Sequence, residues 1–363
     1  MQPRVLLDGL AIPESPRWHE GRLWFSNWGT RQIVAVDLDG NSEVVGEGPD
    51  GLGWATNWLP DGGLLITGQE LIRAEPDGSR VRHADLSHIS SFGWSEITVD
   101  GRGNVYVNTI NFDFAEFNDV LTSGKAPGKI ALVTPDGDAR EVANKLAFPN
   151  GMVITPDNKT LVVAESFAAR LTAFDIADDG TLSNRRIWAD GVGPDGICLD
   201  ADGCIWASSA NMANDCARIR EGGEVLERID LGRPCFAAML GGPERRTLFM
   251  LTADWRGTEG VKDVVKARTG QVLVVDAPAA GLGWPYRGRP GEAEASSNLA
   301  AGSGGPVYEA TVPPLARELA PRRVNAVSPR RDRDQLVGPA PSPGTRGGVP
   351  AVCGTGVPQQ VGT

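Results

Sequence analysis

The sequence predicts an all-β fold, a six-bladed β-propeller followed by an irregular C-terminal tail. Three observations predict it: a strand pattern that repeats about every forty residues, a near-absence of helical periodicity, and an abrupt change of composition near residue 285. The length of 363 residues alone points to about two domains. The repeats replace that with one folded unit.

Each repeat is a short apolar run, an acidic or Gly-containing turn, a strand-like run, and a second strand-like run. The first spans Pro16 to Ser26 and Gln32 to Asp37, and the second Asn57 to Thr67 and Glu70 to Ala74. The third spans Ile97 to Val107 and Lys129 to Val133, and the fourth Met152 to Ala164 and Arg170 to Asp175. The fifth spans Ile197 to Ala207 and Ala217 to Arg220, and the sixth Ala237 to Met250 and Gln271 to Val275. The turn acids Glu20, Asp61, Asp100, Asp157, Asp200 and Glu244 stand 41, 39, 57, 43 and 44 residues apart. That is the period of a four-stranded propeller blade. The interval of 57 holds an insertion, Asn111 to Gly128, expected to lie over the channel mouth with Phe112, Phe114 and Phe117. Trp28, Trp54, Trp94 and Trp255 either add to that wall or pack between blades. The strand Arg4 to Leu7 is expected to close the ring by pairing with the last blade.

Residues 1–285 are therefore expected to form the propeller. Residues 286–363 hold 12 Gly, 11 Pro, 9 Arg and no Lys, Ile, Phe, Met or Trp, so they have little to bury and are expected to be disordered. A readthrough or frameshifted extension has the same composition. This tail is +3, which leaves −14 on the propeller within a total of −11. That balance argues against a nucleic-acid partner, because phosphate binding needs a basic face. No run of about 18 apolar residues or signal-peptide core is present, so no membrane association is expected and a cytoplasmic location is. The five cysteines lack C-x-x-C spacing and are expected to be reduced core residues. His19, His83 and His88 are expected to be structural. No Gly-x-Ser-x-Gly, P-loop or Rossmann pattern opens a helix.

In a propeller the loops entering the innermost strands form the mouth of a central channel, so oxygen ligands for a cation are sought there. Three residues fit: Glu14 before blade one, Asn150 before blade four and Asp195 before blade five. Each follows a proline and precedes a small residue, and the following glycine is expected to let the chain turn sharply. Pro76-Asp77-Gly78 and Pro135-Asp136-Gly137 lie instead at strand ends and read as plain hairpin turns. One Glu, one Asn and one Asp make a hard-oxygen set of charge −2, suited to Ca²⁺ or Mg²⁺ and tolerant of Mn²⁺ or Zn²⁺.

The stretches Pro13-Glu14-Ser15-Pro16-Arg17-Trp18, Phe148-Pro149-Asn150-Gly151-Met152 and Pro194-Asp195-Gly196-Ile197 carry a resemblance. Leu161 to Ser166 and Leu171 to Asp175 extend it. The chain resembles the SMP-30/gluconolactonase/LRE (regucalcin-like) family of six-bladed, metal-dependent lactonases over residues 4–285. The resemblance implies Glu14, Asn150 and Asp195 as ligands of one divalent ion, Ca²⁺ first, with Asp195 also the general base. It implies a small-molecule lactone substrate and a monomer or small homo-oligomer. Where the family usually carries Asn-Asp before blade three, this chain has Ser95-Glu96. Ser95, Glu96, Asn111 and Phe112 are the expected substrate-side residues. The serine leaves altered chemistry open: organophosphate or ester hydrolysis, condensation or isomerisation. A non-catalytic calcium-binding propeller is the remaining alternative.

Overall fold

A computed structural model describes residues 2–282 apart from 76 and 210–212. The expected tail and Cys353 lie outside the described residues. Six four-stranded antiparallel sheets form a ring. Their inner strands are Pro13–His19, Thr56–Trp58, Ile97–Val99, Pro149–Ile154, Pro194–Leu199 and Cys235–Gly241. Each inner strand touches the next, and the last touches the first, so the ring is closed. The sixth blade is completed by the N-terminal strand Arg4–Leu10, antiparallel to Gly270–Asp276, with Arg4 opposite Val274 and Leu10 opposite Gly270. This is the expected closure, extended by three residues.

The core lies between blades rather than in one central mass. Leu65 and Leu71 of blade two pack with Val105 and Val107 of blade three, and Ile130 and Leu132 of blade three with Leu161 and Phe174 of blade four. Val34 and Phe25 of blade one meet Phe249 and Val272 of blade six. Each fully buried Leu, Val or Phe side chain contributes roughly 1.5–3 kcal/mol. The cysteines follow this plan: Cys198, Cys216 and Cys235 sit between blades five and six, and all four described cysteines are unpaired and buried.

The turn acids that set the period have a physical role. The Asp100 carboxylate accepts from the N–H groups of Arg102 and Asn104, and Asp200 accepts from those of Asp202 and Cys204. Asp61 and Asp157 do the same for Gly63 and Lys159. These Asx turns reverse the chain between the first two strands of blades two to five. Ser79 N–H donates to Asp77 in the same way at the outer hairpin of blade two.

A second repeated device acts at the opposite, ligand-bearing end. The Thr67 hydroxyl donates to Ser95 O (2.5 Å), Asn108 Nδ2 to Asn150 O (2.7 Å), the Ser166 hydroxyl to Pro194 O (2.8 Å), and the Ser208 hydroxyl to Phe236 O (2.6 Å). Each polar residue at the end of a second strand thus grips the loop entering the next blade. That belt fixes the loops that carry the candidate ligands. No helix among the described residues is long and apolar enough to cross a membrane.

Candidate metal and active site

Glu14, Asn150 and Asp195 occupy the second position of the inner strands of blades one, four and five. The structure brings them together. Asn150 hydrogen-bonds the Asp195 carboxylate, and the Glu14 and Asp195 charges interact directly. The channel beside them is lined by Glu14, Ser15, Arg17, Glu96, Gly151 and Met152, among others. A wider groove at the other end of the ring, lined by His19, Glu20, Pro243 and Arg245, contains none of the candidate ligands.

The glycines after Asn150 and Asp195 serve a purpose different from the expected sharp turn. Neither has positive φ. A Cβ on Gly151 would stand 2.6 Å from Ile197 N and 2.9 Å from Asp195 O. One on Gly196 would stand 2.5 Å from the Ala237 Cβ. These glycines let neighbouring inner strands approach closely, and so bring the blade-four and blade-five ligands within reach of one another.

The electrostatics are unusual for protein carboxylates. Glu14 is 2% exposed, and neither it nor Asp195 forms an ion pair among the described residues. Burial, then the Asp195 and Glu96 charges, push the Glu14 carboxyl well above its usual range, against the Ser15 N–H and Arg17. Burial and the Glu96 charge push Asp195 up to about 8, against the Asn150 hydrogen bond. Buried like charges without a counter-ion are costly. A divalent cation resolves this cost, and two carboxylates with one amide oxygen supply hard donors for it. The residues therefore fit a metal ion. Among the described residues no three His, Cys, Asp or Glu side chains form a metal-holding cluster, so the set depends on the Asn150 amide.

Glu96 lies in the channel with both oxygens engaged: Oε1 accepts from the Ser15 hydroxyl and Oε2 from Arg17 Nη2 at 3.2 Å. Ser95 is half-buried, and its backbone is held by Asn108 O (2.7 Å) and Thr67 Oγ. Asn111 is a loop staple, accepting from the Ser90 hydroxyl (2.8 Å) and donating to Pro127 O (3.1 Å). Phe112 is buried 6.1 Å from Phe148 and 6.5 Å from Phe167. The insertion forms a short helix, Phe117–Ser123, whose Phe117 meets Phe148 and Phe167 edge-on at 5.5 and 5.0 Å. It thus packs against the residue two positions before Asn150. Trp54 and Trp94 are buried, and Trp28 Nε1 donates to Trp54 O (2.7 Å). His19 stacks on Trp58 at 3.9 Å, away from the ligands.

Sequence reasoning missed Asn108 and Arg17. Asn108 is fully buried between Glu96 and Asn150, and Arg17 Nη2 also donates to Ile97 O (2.9 Å). A polar residue directly after the apolar run Val105-Tyr106-Val107 was the available signal for Asn108.

Residues 12–254 match a family model described as the SMP-30/Gluconolactonase/LRE-like region. A pentonolactonase of Haloferax volcanii is 25% identical over 271 residues, covering 72% of this chain and 88% of the relative. The diisopropyl-fluorophosphatase of Loligo vulgaris is 25% identical over 166 residues, covering 40% of this chain and 49% of the relative. The chain spans about half or less of the length of most curated relatives it matches. A solved structure described as a calcium-binding regucalcin of Agrobacterium tumefaciens shares the fold, with a TM-score of 0.64 at 19% identity, covering 79% of this chain and 97% of that one.

Proposed function

The chain belongs to the SMP-30/gluconolactonase/LRE-like family, and we propose on that premise that it is a metal-dependent hydrolase opening a lactone, a sugar lactone or related cyclic ester. The observation that carries this reading is the pair of buried Glu14 and half-buried Asp195, which come together beside the channel with no ion pair to either among the described residues. Glu14, Asn150 and Asp195 would hold one divalent ion, Ca²⁺ before Mg²⁺, Mn²⁺ or Zn²⁺. When bound, the ion supplies Lewis acidity to the ester carbonyl and positive charge that keeps its carboxylates ionised.

Asp195 takes a proton from the attacking water as the water oxygen bonds to the carbonyl carbon. The ring C–O bond breaks, and the proton passes from Asp195 to the departing alkoxide, giving the open hydroxy acid. Ser95 and Glu96 border the substrate from blade three, and Asn111 and Phe112 shape the wall behind it. The four unpaired buried cysteines suit a reducing compartment, and the proposal places the enzyme in the cytoplasm. A second reading, hydrolysis of an organophosphate, draws support from Ser95 and from the similarity to a diisopropyl-fluorophosphatase.

The test is a lactone panel assayed with Ca²⁺, Mn²⁺ and Zn²⁺. Asp195→Ala and Asn150→Ala are expected to lower metal-dependent turnover by more than about a hundredfold, beyond what an outer partner costs. Full activity in either variant overturns the site. Cleavage of a fluorophosphate with no lactone opened by any ion selects the second reading.

A further inference from the structure

The three candidate ligands are followed by Ser15, Gly151 and Gly196. Only the first of these followers carries a side chain, and it adopts a left-handed backbone, φ 51°. A β-carbon is disfavoured there, and glycine would be at ease. Ser15 is also 1% exposed, so its hydroxyl does not serve solvent. Its N–H donates to Glu14 Oε2, and its hydroxyl donates across the channel to Glu96 Oε1, a residue 81 positions away.

Glu96 passes the connection onward. Its N–H donates to Asn108 Oδ1 (3.2 Å), and Asn108 Nδ2 donates to Asn150 O (2.7 Å). Arg17 Nη2 holds the other Glu96 oxygen, while Nη1 is anchored on Pro16 O (2.8 Å). The result is one buried relay, Glu14–Ser15–Glu96–Asn108–Asn150, joining blades one, three and four.

We propose that Ser15 is a positioning residue: its hydroxyl, through Glu96, locks the Glu14 carboxylate in register with the Asn150 loop for binding of one divalent cation. The inference rests on Glu14 and Asn150 being ligands. The Ser15 hydroxyl is committed to Glu96. It acts by removing the freedom of two acidic side chains, so that the donors converge before the ion arrives. Outer partners of this kind are worth about ten- to a hundredfold in metal affinity.

The substitution Ser15→Gly isolates the effect, because it keeps the N–H to Glu14, relieves the left-handed strain and deletes only the hydroxyl link. Calorimetric titration of the metal-free full chain with Ca²⁺ is the measurement. Ser15→Gly is expected to bind Ca²⁺ about tenfold more weakly while melting no lower than the parent. Glu96→Ala, which removes the acceptor of the Ser15 hydroxyl, is expected to weaken Ca²⁺ binding too. The double variant should be no weaker than the worse single variant, since both remove one link. Parental affinity in Ser15→Gly, or strictly additive losses, overturns the relay. Asp195→Ala separates the two readings. If it binds Ca²⁺ like the parent, the ion site itself is misplaced. If it abolishes binding while Ser15→Gly does not change it, only the relay fails.

Discussion

Two groups of inward-lying acids in this propeller live in opposite surroundings. Glu165, in the fourth blade, accepts from Arg170 Nε (3.0 Å), Arg185 Nη2 (2.9 Å), the Thr172 hydroxyl (2.5 Å) and Ala147 N–H (2.8 Å). Burial alone would push its carboxyl up, but those hydrogen bonds and the two arginine charges outweigh it and hold Glu165 below its usual range. At Glu14, burial and the Asp195 and Glu96 charges outweigh the Ser15 N–H and Arg17, and at Asp195 burial and the Glu96 charge outweigh the Asn150 hydrogen bond, so both carboxyls are raised, and neither forms an ion pair among the described residues. A carboxylate whose counter-charge belongs to the chain is scaffold. A pair whose counter-charge is missing is a site for something that brings it.

The largest expected effect breaks the scaffold side. Glu165→Ala removes one member of a buried ion-pair cluster and should cost about 3–5 kcal/mol in urea unfolding. Asp195→Asn, made in metal-free protein, should cost nothing and raise the melting temperature, because it deletes a like charge. Equal destabilisation by the two substitutions would erase the contrast.

Proton linkage gives the next effect, with opposite signs. Asp195 is raised on folding, so it stabilises the metal-free protein fully below its unfolded value of about 3.8 and loses that contribution as pH rises towards about 8. Glu165 is lowered, so its contribution is present above its unfolded value and lost as pH falls through the folded one. Chelated protein should therefore melt lower at pH 8 than at pH 5.5, at about 2–4 °C per kcal/mol for a domain of this size. Ca²⁺ should reverse the trend, and Asp195→Asn should flatten it. A chelated protein that melts higher at pH 8 would contradict the charge assignment of the channel.

How much of this was legible in the sequence follows from which contacts are local. The blades were readable because Asp61, Asp100, Asp157 and Asp200 form Asx turns with residues two to four positions on, and such turns recur with the period. The loops bearing Glu14, Asn150 and Asp195 were readable because each marks the entry to an inner strand. The Ser15–Glu96 contact was not readable, since it spans 81 residues and depends on how blades one and three face each other across the closed ring. For the same reason Gly151 and Gly196 looked like turn residues, although their role is strand-to-strand approach. Arg185, which completes the Glu165 pocket, comes from the outer strand of its blade, 20 positions on. No local pattern marks such a partner.

The smallest expected effect tests whether the two regions are mechanically joined. Glu165 holds Ala147, three residues before Asn150, and the Ser166 and Phe167 N–H groups donate to Phe148 O and Ala147 O at 3.1 Å. Phe148 and Phe167 stack at 4.4 Å, and Phe117 of the insertion helix caps both edge-on. The scaffold acid and the aromatic cluster thus support the ligand strand from the same side. Phe117→Leu keeps apolar volume but removes three edge-on pairs, with Phe114, Phe148 and Phe167, each worth about 0.5–1.5 kcal/mol. Phe117 is half-buried, so the stability loss should fall near the lower end, about 1.5 kcal/mol. If the cluster steadies the Asn150 loop, Phe117→Leu also weakens Ca²⁺ binding, by a factor smaller than that of Ser15→Gly, because it acts through Phe148 rather than on a ligand's neighbour. Loss of stability with unchanged Ca²⁺ affinity would show that the insertion helix stabilises blade four without reaching the channel.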